Sequence, residues 1–171
     1  FTMSTFAQLP AFVEVTEFEV KDQAKAFELM NTWKEIEKSV VENAPRIFLL
    51  SEMDGNTIYF CRAFNTMDES NKYRQSRWGD NGWNTKVNEE WRKKVGENPW
   101  KGTGVDVIMN HMYRMRTDLS YMPDGTNIAE ELPNNLYRRH VNIAVDWGKR
   151  NEFVTNIKAG IENDKKLDND Y

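Results

Sequence analysis

The side chains with chemistry to offer are few and widely spaced. The chain has two histidines, His111 and His140, and one cysteine, Cys61. There is no HxxxH, HxH or CxxC pattern, and a zinc centre needs several such ligands converging. The sequence therefore predicts no metal centre and no cofactor. Nucleophilic catalysis lacks its parts. There is no GxSxG elbow, and Cys61 has no histidine near it in sequence. Cys61 reads instead as a small buried hydrophobe on a strand. Gly102-Thr103-Gly104 lacks the lysine and the glycine spacing of a phosphate loop.

General acid–base chemistry has one candidate centre. A neutral imidazole is the usual proton acceptor near neutral pH, and His111 falls where a helical pattern passes into an alternating one. Asn110 adjoins it and Tyr113 follows two residues on. His111, Tyr113 and Asn110 form a candidate catalytic set. In it His111 takes a proton from a phenol-like substrate in an enclosed cavity, with Trp83 and Trp91 shaping the pocket. The plainer reading of His111 is a solvent-facing or capping histidine.

Binding chemistry has two candidate groups. Arg62 shares a strand face with Ile58, Phe60 and Phe64, so its guanidinium either reaches to the edge or meets a buried anion. Arg114, Arg116, Arg138 and Arg139 join it if their strands are neighbours, which makes a carboxylate or phosphate pocket. The competing reading is a cross-strand ladder of ion pairs to Glu14, Glu17 and Glu19. The second group lies in WGDNGWNTKVNEEWRKKVGENPW, residues 78–100. Trp83, Val87, Trp91 and Val95 stand four apart and make one helical stripe, the face laid on a sheet. Trp78 and Trp100 lie outside it, beside glycine or proline, where a ring lines a cavity mouth or an interface. The ligand-binding candidates are thus Trp78, Trp83, Trp100, Arg62, Arg114 and Arg116. The RKK cluster at 92–94, with glutamates on either side, is a solvated helix face.

Elements must position these groups. Residues 11–20 alternate as a strand. Asp22 caps a helix with Ala26, Phe27, Met30, Trp33, Ile36 and Val40 on one stripe, ending near Pro45. Residues 46–53 and 57–64 form a hairpin around Asp54-Gly55-Asn56. The first of these strands is apolar on both faces and reads as a central, doubly covered strand. Thr66 to Glu69 is a capping box opening a helix to Arg77, and a second helix spans about 83–95. Residues 105–111 fit both a helical stripe and an alternation, and a short helix is the expectation. Residues 112–121 alternate as a strand, 126–136 are loop, 137–146 a strand, and 149–163 a helix with Phe153, Ile157 and Ile161 inward.

The run FVEVTEFEVK, the helix AKAFELMNTWKEIEK and the segment PRIFLLSEMDGNTIYFCRAFNTMDE resemble the dimeric α/β-barrel superfamily, whose members include antibiotic-biosynthesis-monooxygenase-like, NIPSNAP-like and EthD-like proteins. The resemblance implies an α+β, ferredoxin-like βαββαβ unit with an antiparallel sheet packed by helices. It also implies pairing of two sheets, as a homodimer or a tandem repeat, and a cavity between sheet and helices. Within that family's range are cofactor-free oxygenases, haem enzymes and proteins without demonstrated catalysis, so the fold alone sets no activity. No His–Asn–Trp set of the haem-degrading kind maps onto this chain.

The domain organisation that follows is a tail over 1–10, the ferredoxin-like unit over 11–122, a loop over 123–136 and an added strand and helix over 137–171. VTEFEVKDQAKAF and VNIAVDWGKRNEF echo each other, so the last part reads as a truncated second repeat or an appended pair. Thr5-Phe6-Ala7 before Gln8 resembles a signal-peptidase site after an apolar core, which gives export as one expectation and a cytoplasmic chain as the other.

Composition bounds the partners. The net charge of −4 excludes the basic excess of a nucleic-acid binder, and no apolar run reaches the length of a membrane span. The expected partner is a small aromatic or apolar ligand. Three functions remain open: a small-molecule-binding or structural module, a cofactor-independent monooxygenase or isomerase with a histidine base, and an exported association module.

Overall fold

The computed structural model describes residues 10–53, 55–97, 99–119 and 143–167. They belong to two compact units, one spanning Pro10–Met115 and the other holding residues 116–119 and 143–167. The expected tail, most of the loop and strand between 120 and 142, and with them Arg138, Arg139 and His140, lie outside the described residues.

In the first unit the order is β1 (Phe12–Glu19), α1 (Gln23–Val40), β2 (Arg46–Ser51), β3 (Thr57–Phe64), α2 (Met67–Gln75), α3 (Trp83–Val95) and β4 (Asp106–Arg114). The strands form one sheet in the order β2-β3-β1-β4, and every neighbouring pair is antiparallel. This is the ferredoxin-like α+β arrangement.

Local sequence explains most of these elements. The Asp22 carboxylate accepts from the Lys25 N–H at 3.0 Å and starts α1. Thr66 Oγ1 accepts from the Glu69 N–H at 3.1 Å, and the Glu69 carboxylate reaches back to the Asn65 N–H at 2.8 Å. Four orphan donors open every helix, and these side chains satisfy some of them. α3 ends at Gly96, whose φ of 89° only glycine adopts without strain. The loop after it is clasped to the start of α1. Thr103, fully buried, accepts at its carbonyl from the Lys21 N–H at 2.8 Å and the Asp22 N–H at 3.2 Å.

Side-chain alternation divides the sheet into two faces. On the helix-facing side, Ile58, Phe60, Val20 and Ile47 pack under Ala26 and Met30 of α1. Beside them Phe64, Tyr73, Trp83, Val87 and Trp91 join Ile36 and Val41 in an aromatic-rich cluster. The open face carries Val13, Cys61 and Ala63, packed with Val15, Phe48, Leu50, Tyr59 and Met115.

Three expectations are corrected. The short helix at 105–111 is instead the first part of β4, and the strand expected over 112–121 ends at Arg114. The cause is a register shift opposite Glu17 and Phe18: Met109 pairs with Glu17 and Val107 with Phe18, leaving Ile108 as an extra residue. A bulge of this kind puts Val107 and Met109 on opposite faces, so the spacing imitates a helical stripe. The third correction concerns β2, which is an edge strand rather than a central one. Ile47 and Leu49 face the helices while Phe48 and Leu50 face the open side. Its two apolar faces reflect the two sides of the sheet rather than a central place in it.

In the second unit, α4 (Arg150–Leu167) carries the expected stripe, with Phe153, Ile157 and Ile161 half-buried. Residues 143–146 of the expected strand have no sheet pairing among the described residues. Arg116 is paired there with Asp118 at 2.6 and 2.7 Å, and Lys158 approaches the same carboxylate at 3.2 Å.

Candidate functional site

Charge is concentrated between the sheet and its helices. Glu37 lies on the inward stripe of α1, where Ala26, Met30 and Trp33 precede it at intervals of four, three and four residues. Its side chain is fully buried and meets Arg62 of β3 in a two-pronged ion pair, Nε and Nη2 each 2.8 Å from a carboxylate oxygen. Such fork-to-fork geometry is the strongest form of this contact. The Trp33 N–H donates to the same carboxylate at 2.9 Å, and the Tyr73 hydroxyl of α2 donates to it as well. The Arg62 guanidinium also lies 4.5 Å from the centre of the Phe60 ring.

The electrostatics follow from these contacts. Burial is the largest influence on Glu37 and pushes its pKa up. The hydrogen bonds and charge of Arg62, with the bonds from Tyr73 and Trp33, together outweigh it, and the carboxyl titrates below its ordinary 4.5. Burial, followed by Arg62's opposing charge and the influence of Glu37, leaves the Tyr73 hydroxyl well above the usual phenol range. The Arg62–Glu37 pair is thus satisfied and locked in its charged form.

A second set of polar groups on the same side includes one unpartnered donor, Arg77 Nε. Glu14 of β1 is opposite Arg62 in the register, with Met112 on its other side. It is 3% exposed, yet forms no ion pair among the described residues. Its contact is the Asn110 side-chain amide, which donates to it at 3.2 Å and to Thr16 Oγ1 at 2.8 Å. Arg77, just past α2, lies over Trp78 at 4.7 Å and Trp83 at 5.4 Å. Its Nε is buried with no acceptor. Burial, then the charge of Arg62, lowers its pKa, while Glu14 acts to raise it. A buried N–H without an acceptor costs free energy, of order 1–3 kcal/mol or more when charged. These groups define the candidate site: Glu14, Asn110 and Arg77, walled by Trp83 and Met112.

The sequence-predicted residues are distributed as follows. Trp83 is in the core, its N–H donating to the Tyr73 carbonyl at 3.0 Å. Trp78 is exposed at 68% and Trp100 is half-buried against Trp91. Arg62 meets neither an external anion nor the Glu14, Glu17, Glu19 ladder; its partner is Glu37, which sequence reasoning passed over. The signal was present as a carboxylate on an otherwise apolar stripe. Arg114 is exposed on β4, and Arg116 belongs to the second unit. Among the described residues, the expected convergence of Arg114 and Arg116 on Arg62 is not seen; Arg77 is the arginine near it.

His111 and Tyr113 lie on the open face, away from the helices, and both are exposed. His111 Nε2 is 2.8 Å from the Met109 sulfur, and its ring meets Tyr113 edge-on at 5.8 Å. Asn110 points to the other side. Among the described residues His111 and Tyr113 therefore do not share a sheet face with Asn110 or with the helices that carry Trp83 and Trp91, because adjacent residues of a strand face opposite ways. Among the described residues, no group of three or more His, Cys, Asp or Glu side chains is placed to hold a metal. None of their helices is long and apolar enough to cross a membrane.

No family model matches the chain, and no curated protein matches it significantly. Among solved structures, it is similar to the crystal structure of protein Atu4242 from Agrobacterium tumefaciens, at 16% identity with a TM-score of 0.34, over 61% of this chain and 91% of that one. A likeness at that level assigns no activity.

Proposed function

We propose that the chain is a binding module that takes a small molecule on the helix-facing side of its sheet, between β1, β4 and the α2–α3 junction. One observation carries this reading: Arg77 Nε is buried without an acceptor, near a buried Glu14 carboxylate that accepts from Asn110 and forms no ion pair among the described residues. Native interiors rarely leave such groups unpaired, and a bound molecule would supply what is missing. The ligand has an aromatic or apolar body, to lie against Trp83 and Met112, with a polar group that accepts from Arg77 Nε and donates to Glu14. Ligand-observed NMR with a panel of small aromatic acids, phenols and aminophenols tests it. Binding is expected to weaken in Glu14→Gln and in Arg77→Gln. Absence of binding across the panel, or binding that both variants leave unchanged, overturns the reading.

A second reading rests on the open face. On that face Val13, Cys61 and Ala63 are buried and Val15, Phe48 and Leu50 half-buried, while Met109 and Tyr113 of β4 are exposed apolar side chains. Exposed apolar side chains on a sheet face are what association covers. Pairing of two such faces would give the dimer that the superfamily resemblance implies. Light scattering after size exclusion tests it; a monomer across the micromolar range counts against it.

A further inference from the structure

β4 carries a pair of soft donors on the face away from the Glu14–Arg77 site. The extra residue Ile108 is followed at once by Met109, opposite Glu17 of β1, and His111 comes next on the same face, opposite Val15. The His111 Nε2 and the Met109 sulfur are 2.8 Å apart. Both side chains are exposed, Met109 at 42%. Beyond each other and the edge of the Tyr113 ring, neither side chain has a polar or aromatic partner among the described residues.

Three features set this pair apart from an ordinary contact. Residues two apart on a strand are separated by about 6.8 Å of backbone. The two side chains therefore lean together to bring their donor atoms within 2.8 Å, beside a bulge of the kind that re-aims side chains. The second feature is what the atoms offer. A thioether is a weak hydrogen-bond acceptor, a poor use of an imidazole that water serves better. In the tautomer protonated at Nδ1, Nε2 and the sulfur turn lone pairs toward one point, which a cation satisfies. The third is charge. Glu17 lies on the same face as Met109, half-buried and in no ion pair among the described residues, and its carboxylate favours a cation there.

We infer that Met109 and His111 form an open, exchangeable site for a soft monovalent metal ion, of which copper(I) is the biological case. Thioether sulfur selects such ions, and imidazole accompanies it readily. Zinc takes four nitrogen, oxygen or thiolate ligands, and the described residues hold no group of three His, Cys, Asp or Glu to begin such a site. Methionine stands outside that class. Metal bonds of about 2.0 Å to imidazole and 2.3 Å to sulfur place the two donors roughly 3.5 Å apart around one ion. Two exposed side chains open to that spacing by a small rotation. With two protein ligands, the remaining coordination belongs to solvent or to an incoming donor, so the ion is held loosely and is easily handed on.

The test is NMR of the full chain titrated with silver nitrate, silver(I) being a redox-inert ion of the same softness, with zinc nitrate in parallel. Silver should shift the Met109 methyl and the His111 ring signals together, with one dissociation constant. Zinc at the same concentration should leave the Met109 methyl in place. Met109→Leu and His111→Gln change exposed side chains and should keep the fold. Each should weaken silver binding at the other residue by about tenfold or more, because a two-point grip becomes a single contact. Silver taken up by the Cys61 thiol or by another methionine would leave both signals unmoved and overturns the proposal. So does a shift of one signal without the other, an equal response to zinc, or a variant that keeps full affinity.

Discussion

Arg62 and His111 show how differently the two faces of one sheet treat a basic side chain. Arg62 faces the helices, and a glutamate, reinforced by a tyrosine and a tryptophan, is built around it. His111 faces the open side, where solvent, a methionine sulfur and a tyrosine ring surround it. Burial forces the first to be answered inside the protein, because an isolated ion cannot be left in a dry interior. Exposure leaves the second free of any such demand. Chemical character alone does not mark a functional residue here. What distinguishes Arg77 is that its Nε is buried and still lacks a partner, beside a buried Glu14 with no ion pair among the described residues.

This contrast can be broken most severely at Glu37. Glu37→Ala leaves Arg62 buried without its counter-charge and should cost about 3–5 kcal/mol in urea unfolding. Glu37→Leu combined with Arg62→Met removes both charges and should recover most of that loss, since a well-packed apolar pair often equals a buried ion pair. If the double variant is no better than the single one, the cost lies in packing rather than in the stranded charge.

Acid provides a graded version of the same experiment. The Glu37 pKa is depressed in the folded protein, so its contribution is present above its unfolded value of 4.5 and is lost as pH falls through the folded value. Stability measured between neutral pH and pH 2 should therefore drop in the acid range. Glu37→Gln should flatten that drop, and an unchanged slope would assign it to other carboxylates.

A smaller effect is expected at the rim of the helical layer. Thr66→Ala removes the hydroxyl that caps α2 and should cost about 1 kcal/mol, with Thr66→Ser restoring most of it. Smallest in stability is Tyr113→Lys on the open face, expected within about 0.5 kcal/mol of the parent because the ring is exposed. Its readout is instead association: light scattering should show the variant monomeric at concentrations where the parent pairs. A parent that is itself monomeric removes the open face from consideration as a docking surface.

Much of the architecture was legible because local patterns and tertiary packing agree. Asp22, Thr66 and Gly96 bound helices whose apolar stripes face the sheet, and Thr57–Phe64 alternates cleanly. Where they disagree, the reading failed. β4 carries an extra residue at Ile108, and one displaced side chain converts an alternation into an apparent helix. That error carried His111 with it, since a residue at a helix end and one in mid-strand face different surroundings. The place of β2 at the edge depends on which strand β4 pairs with, and no run of six residues encodes that. The ion pair was half legible. Arg62 stood out among apolar neighbours, but its partner lies 25 positions away on another element.

The bulge in β4 has a consequence for how the sheet meets other molecules. An edge strand offers unpaired backbone groups as a template for further strands, the usual start of runaway β-aggregation. Here one edge is the six-residue β2 and the other is bent by its bulge near Ile108. Both borders are poor templates, so the sheet resists sideways growth into fibrils even though its margin carries exposed Val107, Ile108 and Met109.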